Sequence, residues 1–128
     1  MTEPTWLDSV DCLAFQGELV AWFGGPAGVR DEGMLESALA RPRQQYAYGT
    51  PTLYQLGAAY AYGIVKNHPF IDGNKRAGFL AAALFLEVNG LTFSAPEEEV
   101  VVQTVALAAS ECTEAEYATW LESACENG

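Results

Sequence analysis

The chain has 128 residues, of which 50% are apolar and 18% charged, enough for one compact domain with its own core and too apolar for a disordered chain. Its formal net charge of −11 excludes a basic nucleic-acid footprint, so no direct nucleic-acid partner is expected. The longest nearly uncharged stretch, 77–86, is too short to span a bilayer; the start, MTEPTWLDSVD, is no secretory signal; and Cys12, Cys112 and Cys125 lack metal-type spacing, so a cytoplasmic protein with reduced thiols and no membrane contact is expected.

Val10, Leu13, Ala14, Gly17 and Ala21 recur at helical spacing and predict an amphipathic helix over 9–23, capped by Asp8 or Ser9 and stopped at Gly24-Gly25. Gly24-Gly25-Pro26 and Gly28 make a turn-rich connection. Asp31 can cap a short second helix carrying Met34, Leu35, Ala38 and Leu39, which Pro42 is expected to end near 40–41. Residues 42–52, PRQQYAYGTPT, show no helical stripe and read as a loop with a short extended piece around 46–48.

Leu53, Leu56, Tyr60 and Ile64 predict a third helix over 53–66. A fourth begins near Gly73 or Asn74, carries Ala77, Leu80, Ala81, Leu84, Phe85 and Val88, and stops at Asn89-Gly90. It is apolar nearly all round, which marks a central helix buried by its neighbours. Ser94-Ala-Pro-Glu97 has capping-box spacing ahead of a fifth helix with Val101, Val105 and Ala108 on its stripe. Thr113-x-x-Glu116 opens a sixth, with Tyr117, Trp120, Leu121 and Ala124 on one face. No repeat or linker divides the chain. The reading is a single all-α domain over 1–128, of about six helices, with a central buried helix following a loop rich in functional groups.

That loop is HPFIDGNKR, residues 68–76. It holds the chain's one histidine, His68, restrained by Pro69. An imidazole titrates near neutrality, so His68 could accept a proton from an attacking hydroxyl. Gly73, Asn74, Lys75 and Arg76 open the next helix, where backbone N–H groups and the helix dipole favour an anion. Gly73 lets the backbone approach it, and the two side-chain cations add charge-assisted bonds. No Lys or Arg follows Arg76, so an anionic ligand has few other places to go on so acidic a chain. Asp72 suits Mg²⁺, which takes one or two carboxylates together with phosphate oxygens. Taken singly, each residue has a plainer use: Asp72 as a helix cap, Asn74 as a turn residue, the cations as solvated charge.

At these residues the sequence resembles the Fic/Doc family, and most closely its Doc (death-on-curing) toxin branch. The family motif is H-x-F-x-[DE]-[GA]-N-[GK]-R, and HPFIDGNKR satisfies every position. GGPAGVRDEGMLESALARP before the loop, LFLEVNG after it and the closing Trp120-Leu121 are similar to Doc-like sequences as well. The resemblance implies His68 as catalytic base, Asp72 on Mg²⁺, Gly73, Asn74 and Arg76 around the phosphates, and Phe70 packing the loop into the core. AMP-transferring members carry glycine where this chain has Lys75 and a second arginine where it has Phe79. The Doc branch shares that departure and moves a phosphoryl group instead. The implied function is therefore a toxin kinase using ATP and Mg²⁺ on a Ser or Thr hydroxyl of a protein target, with elongation factor Tu as the family's substrate. The alternatives are AMP transfer and a non-catalytic module binding nucleotide or antitoxin.

The self-inhibitory pattern [ST]-x-x-x-E-[GN] of many Fic proteins does not occur: Ser94-x-x-x-Glu98 is followed by Glu99, and Ser110-x-x-x-Glu114 by Ala115. Control in trans by a Phd-like antitoxin segment that folds on binding is expected. Doc-like sequences often carry a histidine in the first helix; Gln16 stands in its place here.

Overall fold

The computed structural model describes residues 3–127. Six helices follow one another: α1 (Ser9–Phe23), α2 (Glu32–Tyr48), α3 (Leu53–Asn67), α4 (Asn74–Val88), α5 (Glu97–Ala108) and α6 (Glu114–Ser123). A short antiparallel ribbon joins β1 (Leu91–Phe93), after α4, to β2 (Cys125–Asn127), after α6, with Thr92 opposite Glu126. The fold is all-α, as expected, and the ribbon only ties the chain end to the turn after α4. Among the described residues, no helix is long and apolar enough to cross a membrane.

The helix starts follow local chemistry. Asp8 and Asp11 form a reciprocal capping box on α1, Thr52 and Gln55 one on α3, and Thr113 and Glu116 one on α6. Asp31 accepts from the N–H of Met34 and starts α2. Ser94 does not cap α5: Pro96 holds that place with no side-chain bond, and the Ser94 N–H donates to the carbonyl of Ala124 beside the ribbon at 2.8 Å.

The expected stop at Pro42 is overturned, and with it the loop over 42–52. α2 runs through Pro42 to Tyr48. A mid-helix proline removes one backbone bond and crowds the preceding turn, at a cost of about 3 kcal/mol. Burial of the proline and contacts made beyond it offset that cost. Pro42 itself is buried. Beyond it, Arg43 lies over the Trp6 ring at 5.4 Å, Tyr46 meets Trp6 edge-on at 5.6 Å, and Gln45 donates to Glu114 at 3.0 Å.

α3 is the most enclosed helix, packed by α4, α2 and α6 and buried from Leu56 to Val65 apart from Tyr62. Its small residues let the neighbours come close; the Cβ that Gly63 lacks would lie 3.0 Å from Cα of Ala38 on α2. α4 buries Ala77, Gly78, Ala81, Ala82, Phe85 and Leu86 against it. The other stripe of α4, with Phe79, Leu80 and Leu84, is only half-buried. Tyr60, Phe70, Phe85 and Tyr117 are fully buried, each worth roughly 2–3 kcal/mol of removed apolar surface.

Two helices turn a different face inward from the one their apolar spacing predicts. α1 buries Cys12 and Gln16 and leaves Val10 71% and Leu13 43% exposed. α5 buries Thr104 and Leu107 and leaves Val101 53% and Val105 46% exposed. Polar residues are tolerated inside because they are paired: Thr104 and Tyr117 share a hydroxyl hydrogen bond at 2.9 Å.

Candidate active site

Residues 68–73 connect the end of α3 to the start of α4, so the two most buried helices position the loop. His68 closes α3 in the left-handed conformation, φ 50° and ψ 54°, with its N–H on the carbonyl of Ile64 at 3.1 Å. Its side chain is exposed. Pro69 and Phe70 then dive into the core, Phe70 fully buried as expected for a loop anchor.

The connection before α2 runs antiparallel to this loop and pairs with it. Val29 bridges Phe70, the Arg30 and Asp31 N–H groups both donate to the carbonyl of Pro69, and the Ile71 N–H donates to the carbonyl of Gly28. The Arg30 guanidinium adds Nε to the carbonyl of His68 at 2.7 Å and Nη2 to that of Asn67 at 3.0 Å.

Asn74 locks the loop from within. Its side-chain oxygen accepts from the Phe70 N–H at 2.9 Å, and its amide donates to the Phe70 carbonyl at 3.0 Å. The side chain is thus committed to the loop, and what Asn74 offers an anion is its backbone N–H. Gly73 is the N-cap of α4, left-handed at φ 74° and ψ 24°, with no side-chain cap. Asp72 is exposed, and its Oδ1 accepts the Gly73 N–H at 2.8 Å. Lys75 and Arg76 are exposed in the first turn of α4.

All six residues singled out by sequence, His68, Asp72, Gly73, Asn74, Lys75 and Arg76, line one cleft of about 660 Å³. Its opposite wall is the outward face of α5, from Glu97 through Val101 to Val105, and its floor includes Phe79 and Leu80 of α4. One end of the cleft therefore gathers Lys75, Arg76 and the backbone donors of the α4 start, and the rest is mainly apolar apart from Glu97 and Thr104. That suits a ligand with an anionic end and an apolar body.

Among the described residues, no cluster of three or more acidic, histidine or cysteine side chains could cage a metal. Asp72 supplies one exposed carboxylate beside the start of α4, which fits an Mg²⁺ ion shared with phosphate oxygens and not a dedicated metal cage.

Sequence reasoning gave no role to Arg30 or Gly25, and marked Gln16 only as the residue standing where Doc-like sequences often carry histidine. Arg30 stood within the glycine-rich stretch before α2 but had no chemistry attached to it. Gln16 is 1% exposed and bonds both the loop and the connection before α2. A polar residue on the inward face of α1 was the available signal, hidden because the apolar spacing pointed to the other face.

The sequence matches the Fic/DOC family over residues 6–86, a span from before α1 into α4. It is also 42% identical over 98 residues to a protein of Mycolicibacterium smegmatis named Toxin Doc, covering 74% of this chain and 71% of that one. Since the family match takes in the helices that build the loop as well as the loop itself, the chain belongs to the Fic/DOC family.

Proposed function

We propose that the chain is a Doc-like toxin that transfers the γ-phosphoryl group of ATP to a Ser or Thr hydroxyl of a protein target, with elongation factor Tu the first candidate. The observation that carries this is the uncapped start of α4 opening, beside His68, into the cationic end of the cleft. Backbone donors of the first turn, with Lys75 and Arg76, would receive the triphosphate. The apolar stretch along Leu80, Val101 and Val105 would receive the base.

In the reaction, the target's hydroxyl oxygen attacks the γ-phosphorus in line and the bond to the β,γ-bridging oxygen breaks. ADP leaves and the hydroxyl proton passes to the His68 imidazole. Asp72 would hold Mg²⁺, which when bound neutralises phosphate charge. Phosphoryl transfer asks the protein chiefly for positioning and charge neutralisation, and the loop is built for both. Lys75 and Phe79 favour this direction over AMP transfer: lysine takes the space glycine leaves in AMP-transferring members, and Phe79 supplies no second phosphate clamp.

Control would come from an antitoxin segment. Val101, Val102 and Val105 on α5 and Val10 and Leu13 on α1 are exposed apolar side chains, and the chain is strongly acidic. A segment with an apolar face and basic flanks suits such a surface.

The test is incubation with elongation factor Tu and ATP labelled at either the γ or the α position, read by intact mass. The expected result is γ-label and a gain of one phosphoryl group, abolished in His68→Ala. Label arriving only from the α position would replace phosphoryl by adenylyl transfer, and no modified product with any target would leave a binding module.

A further inference from the structure

α1 reaches the active loop through one buried polar side chain. The Gln16 amide is used at both ends: Nε2 donates to the carbonyl of Asp72 at 3.3 Å, and Oε1 accepts from the Gly28 N–H at 3.2 Å. Three separate segments, α1, the 24–28 turn and the loop, thus meet on a single amide. A leucine of similar size would fill the space without the cost of burying an amide, so packing does not account for glutamine here. Both bonds are long, and each is weak alone. What the pair does well is fix geometry, because the two groups it holds must keep one separation.

That geometry bears on the Asp72 carboxylate. One oxygen takes the Gly73 N–H at 2.8 Å. The other lies against Gly25, at φ +101°, where an added Cβ would fall 2.5 Å from it. The turn carrying Gly25 therefore forms the wall against which the carboxylate rests. Gln16 holds that turn at Gly28 and holds the loop at Asp72.

We propose that Gln16 is a positioning residue that sets the direction of the Asp72 carboxylate, and through it the strength with which the chain binds Mg²⁺ together with a nucleotide's phosphates. This rests on the reading of Asp72 as the cation-binding residue. Gln16 itself touches no ligand; it acts through the Asp72 carbonyl and through the turn. It stands where Doc-like sequences often carry histidine, and its two bonds give the substitution a task.

The experiment is calorimetric ATP binding by the full chain, in excess Mg²⁺ and in EDTA, for wild type, Gln16→Leu and Gln16→Met. Both variants lose both bonds and add no charge; the unbranched methionine follows the shape of glutamine more closely. Wild type is expected to bind ATP more tightly with Mg²⁺. In both variants that advantage should shrink by about tenfold, the usual scale for residues that orient a metal ligand, while affinity in EDTA stays unchanged. If Gln16→Leu does not fold by circular dichroism, Gln16→Met carries the same outcomes. An undiminished Mg²⁺ advantage in the variants overturns the inference alone, as does an equal loss with and without Mg²⁺, which is what a merely structural role gives. No Mg²⁺ advantage in wild type overturns the reading of Asp72 and the inference with it.

Discussion

Arg30 holds His68 by its backbone. The guanidinium donates to the His68 carbonyl at 2.7 Å and to the Asn67 carbonyl at 3.0 Å, across 38 and 37 positions of sequence. These carbonyls end α3 and have no partner within the helix. A cation suits the negative end of the helix dipole. It also suits a left-handed non-glycine residue, a conformation that costs about 1–2 kcal/mol and needs outside support.

Removing that support should act on catalysis more than on folding. The Arg30 guanidinium is exposed, so solvent screening keeps its contribution to stability at about 1 kcal/mol. A base displaced by an ångström can cost about a hundredfold in rate. Arg30→Ala is therefore expected to cut phosphoryl transfer by about that factor with a small loss in melting temperature. Arg30→Lys, which cannot fork onto two carbonyls, should fall between. In the His68→Ala background, Arg30→Ala should cost nothing more, because both losses act on one group. Steady-state transfer assays check this, and wild-type turnover in Arg30→Ala would refute it.

Conversion to AMP transfer should need two changes. Phe79 occupies the place of the second arginine, and its ring packs 5.3 Å from Phe93 and 6.4 Å from Trp120. Lys75→Gly alone clears space near the phosphates but adds no second clamp, so it should weaken γ-transfer without producing α-transfer. Phe79→Arg breaks the aromatic cluster and should cost on the order of 1–2 kcal/mol. Only Lys75→Gly with Phe79→Arg is expected to move α-label. Efficient α-transfer by Lys75→Gly alone would refute the role given to position 79.

The legible parts of the sequence were those where one local signal sufficed. The cap at Asp31, the capping box at Thr113, the stop at Asn89-Gly90 and the dense chemistry of 68–76 need no knowledge of the rest of the chain. Pro42 misled because the contacts that carry α2 past it come from Trp6 and Glu114, far away in sequence. α1 and α5 misled because apolar periodicity assumes that the apolar face is buried within the domain. Here Val10, Leu13, Val101 and Val105 face outward, and Gln16 and Thr104 face inward with paired polar groups. Arg30 was invisible for a simpler reason: it recognises backbone carbonyls, which carry no sequence signature.

Alkaline pH should unfold the protein through groups near the N-terminal segment. Burial pushes the Cys12 thiol from 9.0 up to about 12, with Asp11 and Asp8 adding to the shift. Burial likewise pushes the Tyr60 phenol from 10.0 up to about 12, against the lowering effect of its bond to Leu7. Both are neutral when protonated, so the folded state holds protons that the unfolded state releases first. Their stabilising effect is whole below pH 9 and is lost as pH rises toward 12, on the order of 4 kcal/mol by pH 11. Tyr60→Phe leaves the buried Leu7 N–H without its 3.0 Å partner. It should be less stable than wild type at pH 8 by about 1–3 kcal/mol, and the gap should narrow by pH 11. Guanidinium midpoints across that range check this; a gap that widens with pH would reverse the sign.

Two glycine-to-alanine changes should move stability in opposite directions. In mid-helix, alanine is favoured over glycine by about 1 kcal/mol. At Gly17 on α1 an added Cβ meets nothing within 4 Å, so the propensity gain stands, and Gly17→Ala should raise stability by about that amount. At Gly78 on α4 the Cβ would lie 2.7 Å from Cγ2 of Val65 and 3.1 Å from the Ala61 carbonyl. Neither neighbour gives way easily: Val65 is β-branched and 1% exposed, and the carbonyl belongs to the backbone of α3. Overpacking of this kind costs about 1–3 kcal/mol, which outweighs the propensity gain, so Gly78→Ala should be destabilised in net terms. Relief can come only from α3 and α4 moving apart. α3 ends on His68 and α4 begins at the turn proposed to bind phosphate, so separating them would also shift the proposed base from the nucleotide. Gly78→Ala should therefore lose phosphoryl transfer even at temperatures where it is fully folded, whereas Gly17→Ala keeps it; chemical denaturation paired with transfer assays reads both, and a stabilised, fully active Gly78→Ala would show that the helices do not set the spacing.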